Sequence, residues 1–163
     1  MYTLRAKSRQ LVLGFIAALV LALSASPAYA LFDKTRFVAD LGLGFFAFHH
    51  WILKPYQEGK FAAGSPGRVG AIAKGALAAL FVLREVRAAE KIAHTSKDPL
   101  LQKLDASLAG LSGSFTSLGQ KFKAGQVDEN AISSVNDSTT SLSTSAASGG
   151  LAIKDLPVKV PGL

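Results

Sequence analysis

The feature that most constrains the fold is a set of apolar residues that repeats every seven positions in the second half of the chain. Leucine and phenylalanine side chains follow one another at alternating gaps of three and four: Leu101, Leu104, Leu108, Leu111, Phe115, Leu118 and Phe122. This spacing places them on one narrow face of a helix, which we predict over about residues 98–124. Gly110, Gly113 and Gly119 each weaken that helix in isolation by about 1 kcal/mol relative to alanine. The helix therefore needs a partner helix on its apolar face.

An aromatic-rich helix is predicted earlier in the chain. Its apolar face is marked by side chains that recur every three or four residues: Val38, Leu41, Phe45, Phe48 and Ile52. We predict this helix over about residues 33–54, because Pro55 disfavours helical backbone in the residue before it. Six of the ten phenylalanines lie between Phe32 and Phe61, so any aromatic pocket is expected here.

A second helix, with two different halves, is predicted over about residues 66–94. The stretch Val69–Leu83 is apolar, with Lys74 as its only charged residue. The part that follows carries basic residues at spacings of three and four: Arg84, Arg87 and Lys91. Two interpretations remain open for these three residues, a solvated helix face or a surface that contacts anions such as phosphate headgroups.

A fainter helical pattern follows over about residues 129–147. The residues that mark it are Ile132, Val135, Thr139, Leu142 and Ala146. Serine and threonine fill most positions between them, and these side chains compete with the backbone for hydrogen bonds, so a weakly docked segment is the alternative. Residues 149–163 contain two glycines in a row and two prolines, which favours an extended tail.

Together these patterns predict an all-α fold, a small bundle of three to four helices in one domain over residues 31–148. The phenylalanine face of helix one is expected to pack on the apolar seam of helix three.

The N-terminus has the pattern of a secretory signal peptide over residues 1–30. Basic residues precede an uncharged apolar run, Leu11–Leu23, which is shorter than the roughly twenty residues that span a bilayer. Small residues at Ala28 and Ala30 fit a signal-peptidase site, so we predict cleavage after Ala30 and a secreted or cell-envelope location. The chain has no cysteine, so its stability must come from packing rather than from disulfides.

Charge argues against one class of partner. The whole chain carries 18 basic and 11 acidic residues, and three of the basic ones lie in the predicted signal peptide, which leaves a mature charge of +4. This excess is mild for a nucleic-acid-binding domain, so we expect no nucleic-acid partner. A component of the cell envelope or a membrane surface is the expected partner.

The residue types that support catalysis are scattered. The acidic residues show no glycosidase-like or metal-binding spacing, and Asp98 and Asp128 are predicted to be helix caps. His49 and His50 adjoin the phenylalanine face, and neighbouring helical residues point about 100° apart, so they cannot chelate one metal together. They are candidate cofactor-binding residues, for example for haem, and the alternative is a hydrogen-bonded histidine at the core margin. We expect neither a resident cofactor nor enzymatic activity.

The leading hypothesis is an exported, non-enzymatic protein that acts by binding or structural association. If helix four leaves the seam of helix three uncovered, that seam would serve self-association or a partner through Leu104, Leu108, Leu111, Phe115 and Leu118. Two alternatives remain open, a carrier of haem or another hydrophobic ligand and a membrane hairpin formed by the apolar stretches 37–53 and 69–83. Asp40 and Lys74 inside those stretches argue against the hairpin.

Overall fold

The computed structural model describes residues 26–163, with side-chain surroundings from residue 29 onward. The basic residues Arg5, Lys7 and Arg9 and the apolar run 11–23 of the predicted signal peptide lie outside the described residues. The last five residues of that predicted segment, 26–30, are helical.

The described residues form four helices and no strand, so the prediction of a small all-α bundle is confirmed. The first helix, α1, consists of an α-helical segment, a π-helical turn and one last α-helical turn: Ser26–Phe48, His49–Leu53 and Lys54–Gln57. The other three are α2, Arg68–Thr95, α3, Pro99–Lys123, and α4, Glu129–Ser148. No regular secondary structure follows α4.

The first helix is longer at both ends than the sequence pattern predicted. Within the described residues it begins at Ser26 rather than near residue 33, because Pro27 falls in the first turn, where proline is tolerated, and the alanine and leucine residues after it favour helix. It also continues past Pro55, which was predicted to end it. The N–H of Lys54 donates to the carbonyl of His49, five residues back, and this wider turn relieves the clash between a proline ring and the preceding turn.

Two aspartates cap helices, as predicted. The side chain of Asp98 accepts hydrogen bonds from the N–H groups of Leu100 and Leu101 at 2.9 and 3.3 Å, which satisfies the open N-terminus of α3. Lys34 of α1 lies 2.6 Å from the other carboxylate oxygen of Asp98 and, with those N–H groups, lowers the pKa of Asp98. Asp128 accepts from the N–H of Ala131 at the start of α4 and forms an ion pair with Lys121.

The seam of α3 lies at the centre of the core. All seven heptad residues are at most 3% exposed. Phe48 of α1 meets Phe115 edge-on, with 5.5 Å between ring centroids, so α1 reaches the seam at this point, while α1 packs mainly on α2. On the α2 side, Gly75 lets the ring of Phe122 approach the backbone, because a Cβ there would lie 3.3 Å from it. Burial of each such side chain stabilises the fold by about 1.5–3 kcal/mol.

The fourth helix forms with the apolar face that its pattern predicted, since all five marker residues are buried. Several of its hydroxyl groups donate hydrogen bonds within the helix. The side chains of Ser138, Thr140, Thr144 and Ser148 each donate to the carbonyl four residues back, at 2.8–2.9 Å. These serine and threonine hydroxyls are thereby satisfied without leaving helical geometry.

Successive helices are joined by short connections and run antiparallel. Lys34 meets the start of α3 at one end of the bundle, and Phe61 contacts Phe122 near the end of α3 at the other. The C-terminal residues 151–163, which we call the strap, return from α4 to α1. There the N–H of Leu156 donates to the carbonyl of Gly42 at 2.9 Å, and Val160 is buried.

Candidate functional site

The most distinctive local structure is the π-helical turn His49–Leu53, which contains the histidine pair predicted as candidate ligands. The ring of His50 stacks on Phe46 at 5.3 Å and meets Trp51 edge-on at 4.8 Å. π-Helical turns are rare and occur often at functional sites. This turn therefore marks the region in which a binding site should be sought.

His49 is contacted by the strap through a carboxylate. Its Nδ1 lies 2.7 Å from a carboxylate oxygen of Asp155, and its ring contacts Phe45 and Phe48. Nδ1 of His49 is thus engaged by Asp155, whereas the ring of His50 packs on Phe46 and Trp51. This position corresponds to the alternative interpretation of His49, a hydrogen-bonded histidine at the core margin.

The space beside the histidines is small. A surface depression of about 200 Å³ is lined by Phe46, His49, His50, Lys54 and Asp155. Cavities that hold ligands commonly measure about 300–1,000 Å³, and the neighbouring rings of Phe45 and Phe48 are packed into the core. Among the described residues no three metal-binding side chains converge. The geometry therefore gives no support to the haem-carrier alternative.

A larger pocket lies where α1 ends and α2 begins. It measures about 460 Å³, and Trp51, Pro55 and Ala71 contribute apolar wall. Three lysines, Lys54, Lys60 and Lys74, and one carboxylate, Glu58, also line it. The Nζ of Lys74 lies 5.5 Å from the centre of the Trp51 ring, in position for a cation–π interaction.

The charges at this pocket do not cancel. Lys54 and Lys60 each approach Glu58 only to 4.0 Å in exposed pairs, which contribute little to stability. Within residues 26–163, Lys74 forms no ion pair. The indole N–H of Trp51 is buried, and no acceptor for it is present among the described residues. The pocket thus combines an aromatic wall with a cationic rim.

One buried and one partly buried carboxylate, Glu85 and Asp40, lie at the α1–α2 contact. Glu85 is 5% exposed, and burial raises its pKa, as does the nearby charge of Asp40, while Arg84 opposes the shift. Burial also raises the pKa of Asp40, against Arg36 and Arg84, and one of its oxygens has no donor in the described part of the chain. These groups weaken the α1–α2 contact when both are ionised.

The three basic residues predicted to face anions, Arg84, Arg87 and Lys91, are exposed on α2. Arg84 lies 3.4 Å from Glu85, whereas Arg87 and Lys91 form no ion pair with any described residue. The nearby carboxylate of Glu90 accepts a hydrogen bond from Ser112. Most of the positive charge on this face therefore remains open to solvent.

The seam of α3 is not an accessible surface. Leu104, Leu108, Leu111, Phe115 and Leu118 are buried, because α2 and α4 pack against α3 and Phe48 of α1 contacts Phe115. The condition for self-association through helix three, an uncovered seam, is thus not met.

The membrane-hairpin alternative also finds no support in the helices. Within residues 26–163, none of them combines the length and apolar character needed to cross a bilayer. Lys74, one of the two charged residues inside the stretches 37–53 and 69–83, lies over the ring of Trp51.

Comparison with known proteins gives no relative. The chain matches no protein-family model, no curated protein and no solved structure. Its function must therefore be argued from its own residues.

Sequence reasoning missed the pocket at the α1–α2 connection. Lys54, Lys60 and Lys74 are spread over 21 positions and share no motif. Only the fold of the helical hairpin brings them around Trp51.

Proposed function

We propose that this is an exported, non-enzymatic helical protein that associates with the negatively charged surface of a membrane in the cell envelope. The observation that carries the proposal is the outward face of α2, where an apolar half continues into a cationic half. The remaining faces of α2 pack against α1 and α3.

The apolar half of this face is formed by aliphatic side chains that the fold leaves in solvent. Val69 is 81% exposed, and Leu77 and Leu80 are 40% and 42% exposed. At 100° per residue they lie on the same side of α2 as Arg84, Arg87 and Lys91. A helix face with both aliphatic and basic residues is typical of proteins that lie on anionic lipid surfaces. Charge complementarity thus favours an anionic membrane as the occupant.

The expected strength is modest. Each basic residue near an anionic leaflet contributes about 1 kcal/mol, so the three contribute about 3 kcal/mol, or roughly a hundredfold in partitioning. The exposed aliphatic residues add hydrophobic contact area. Reversible binding that weakens with added salt is the expected behaviour.

Export is the first part of the proposal to test. Cells that express the full chain would be fractionated, and the N-terminus of the protein would be determined by mass spectrometry. We expect a form that begins at Leu31 in the medium or envelope fraction, with α1 shortened by the residues before it. An intact Met1 in the cytoplasm would contradict export.

Membrane association is tested with the form isolated from those cells. It would be sedimented with vesicles of phosphatidylglycerol and phosphatidylcholine, or of phosphatidylcholine alone. We expect binding to the anionic vesicles and its loss in the triple variant Arg84→Gln, Arg87→Gln, Lys91→Gln.

A matched control removes the same charge from other exposed positions, with Lys103→Gln, Lys123→Gln and Lys159→Gln. This control variant should bind nearly as the parent does. Equal loss in both triple variants would mean that net charge alone drives the association, and the assignment to α2 would be wrong.

A further inference from the structure

We propose that the pocket at the α1–α2 connection binds a small organic anion, a flat apolar body that carries one phosphate or carboxylate group. The apolar body would contact the wall that contains Trp51, and the anionic group would meet Lys74 and the lysines at the rim. This proposal uses residues other than those of the membrane-facing surface, so either proposal can fail without the other.

The size and lining of the pocket suit such a ligand. Its volume of about 460 Å³ falls within the range of small-molecule sites. Apolar walls with a few charged groups are the usual composition of such sites, because the walls provide burial and the charges fix orientation. Here Trp51, Pro55 and Ala71 supply apolar wall, and the lysines supply the charge.

The charge of the rim selects an anion. Three lysines and only one carboxylate surround the pocket. The ammonium groups of Lys54 and Lys60 both lie 4.0 Å from a carboxylate oxygen of Glu58, a long distance for an ion pair. Lys74 is positioned by the Trp51 ring rather than by a carboxylate. Its ammonium group can therefore pair with a ligand without first breaking an ion pair among the described residues.

The aromatic wall is already in position. His50 stacks on Phe46 and meets Trp51 edge-on, so Trp51 is packed by its own helix. The π-helical turn that carries Trp51 and His50 widens the helix at this point. A wall that is ordered before binding loses little conformational freedom when a ligand binds.

The experiment uses Trp51 as its own reporter, since it is the only tryptophan in the chain. The protein as isolated from the expressing cells would be titrated with phenyl phosphate. Its tryptophan would be excited at the red edge of the absorption band. We expect a saturable change in fluorescence, and a heat of binding by calorimetry with the same midpoint. Inorganic phosphate and phenol should each bind at least tenfold more weakly, because each lacks half of the recognised chemistry.

Variants locate the site. Lys74→Gln should weaken phenyl phosphate binding at least tenfold, whereas Lys74→Arg, which keeps the charge and the contact with the ring, should bind within about threefold of the parent. Lys103→Gln, on the exposed side of α3, is the matched control and should change nothing. Calorimetry with each variant separates loss of binding from a change in Trp51 emission.

Three results would overturn the proposal. A titration that does not saturate would exclude a site for this class of anion. Equal affinity for inorganic phosphate and phenyl phosphate would mean that the aromatic wall takes no part. Unchanged binding in Lys74→Gln would place the anion elsewhere.

Discussion

Gly42 is the position in α1 at which we expect a side chain to be tolerated least. A Cβ there would lie 2.5 Å from the carbonyl oxygen of Lys154 and 2.9 Å from Cγ of Leu156. The strap would have to move by at least about 0.5 Å, since real Cβ contacts below 3.0 Å are essentially never seen. Such overpacking costs about 1–3 kcal/mol. The hydrogen bond from Leu156 to Gly42 lies in the same contact, and its weakening adds about 1 kcal/mol.

Alanine also offers a gain, because it favours helix over glycine by about 1 kcal/mol. The net expectation for Gly42→Ala is therefore a loss of about 1–3 kcal/mol in the free energy of unfolding. Gly110→Ala in α3 is the matched control, because a Cβ at Gly110 meets no heavy atom within 4 Å. It should stabilise the protein by about 1 kcal/mol.

Urea unfolding followed by circular dichroism measures both variants, and limited proteolysis measures the protection of the strap. We expect the two alanine variants to differ by about 2–4 kcal/mol, with faster cleavage of the strap only in Gly42→Ala. If Gly42→Ala is as stable as Gly110→Ala and its strap is equally protected, the strap does not pack against α1 as described.

Three further changes test the core and its charges. Phe115→Ala should cost about 3–5 kcal/mol in urea unfolding, because it leaves a cavity at the centre of the bundle, and a cost below about 1 kcal/mol would contradict its burial. Burial raises the pKa of Glu85, so the protonated side chain favours the folded state. This contribution to the free energy of unfolding is present at low pH and is lost as pH rises through the raised pKa. Glu85→Gln should therefore be more stable than the parent at about pH 7 and equally stable at about pH 3; equal stability at both would refute this reasoning. Lys34 lowers the pKa of Asp98, so its contribution is present above the ordinary aspartate pKa and is lost as pH falls through the lowered value. Asp98→Asn keeps a capping side chain and should lose less stability than the parent on acidification, whereas parallel pH profiles would show that the pair with Lys34 contributes nothing.

The helices and their buried faces were predictable because both follow from local periodicity. The seam of α3 and the marker residues of α4 are buried as their spacing implied. The capping aspartates were predictable for the same reason, since a cap acts on the residues next to it.

The π-helical turn left a signal in the sequence that periodicity alone could have shown. The inward-facing residues of α1 complete five turns between Phe37 and Tyr56, which are nineteen positions apart. Five turns of a regular α-helix take eighteen positions. One extra residue is what a π-helical turn absorbs. Pro55, which the sequence pattern predicts as a helix end, lies two residues after that turn.

The pocket and the strap could not be predicted, because neither depends on local sequence. Lys54 and Lys74 become neighbours only when α1 and α2 pack as a hairpin. Gly42 lies between two apolar residues, as Gly44 and Gly70 do, and only its contact with Lys154 and Leu156 of the strap distinguishes it. Such contacts depend on the whole fold.

The strap also has a consequence for the order of folding. Each helix packs mainly on its neighbour in the chain, and folds rich in such local contacts form rapidly. The strap instead brings together His49 and Asp155, which are 106 positions apart. This contact forms only after the long chain segment between the two residues has closed into a loop. We therefore expect the bundle to assemble first and the strap to dock last, with strap substitutions such as Leu156→Ala speeding unfolding and leaving the refolding rate unchanged in stopped-flow experiments. Slower refolding in that variant would mean that the strap takes part in the folding nucleus. The C-terminus would then dock early in folding rather than last.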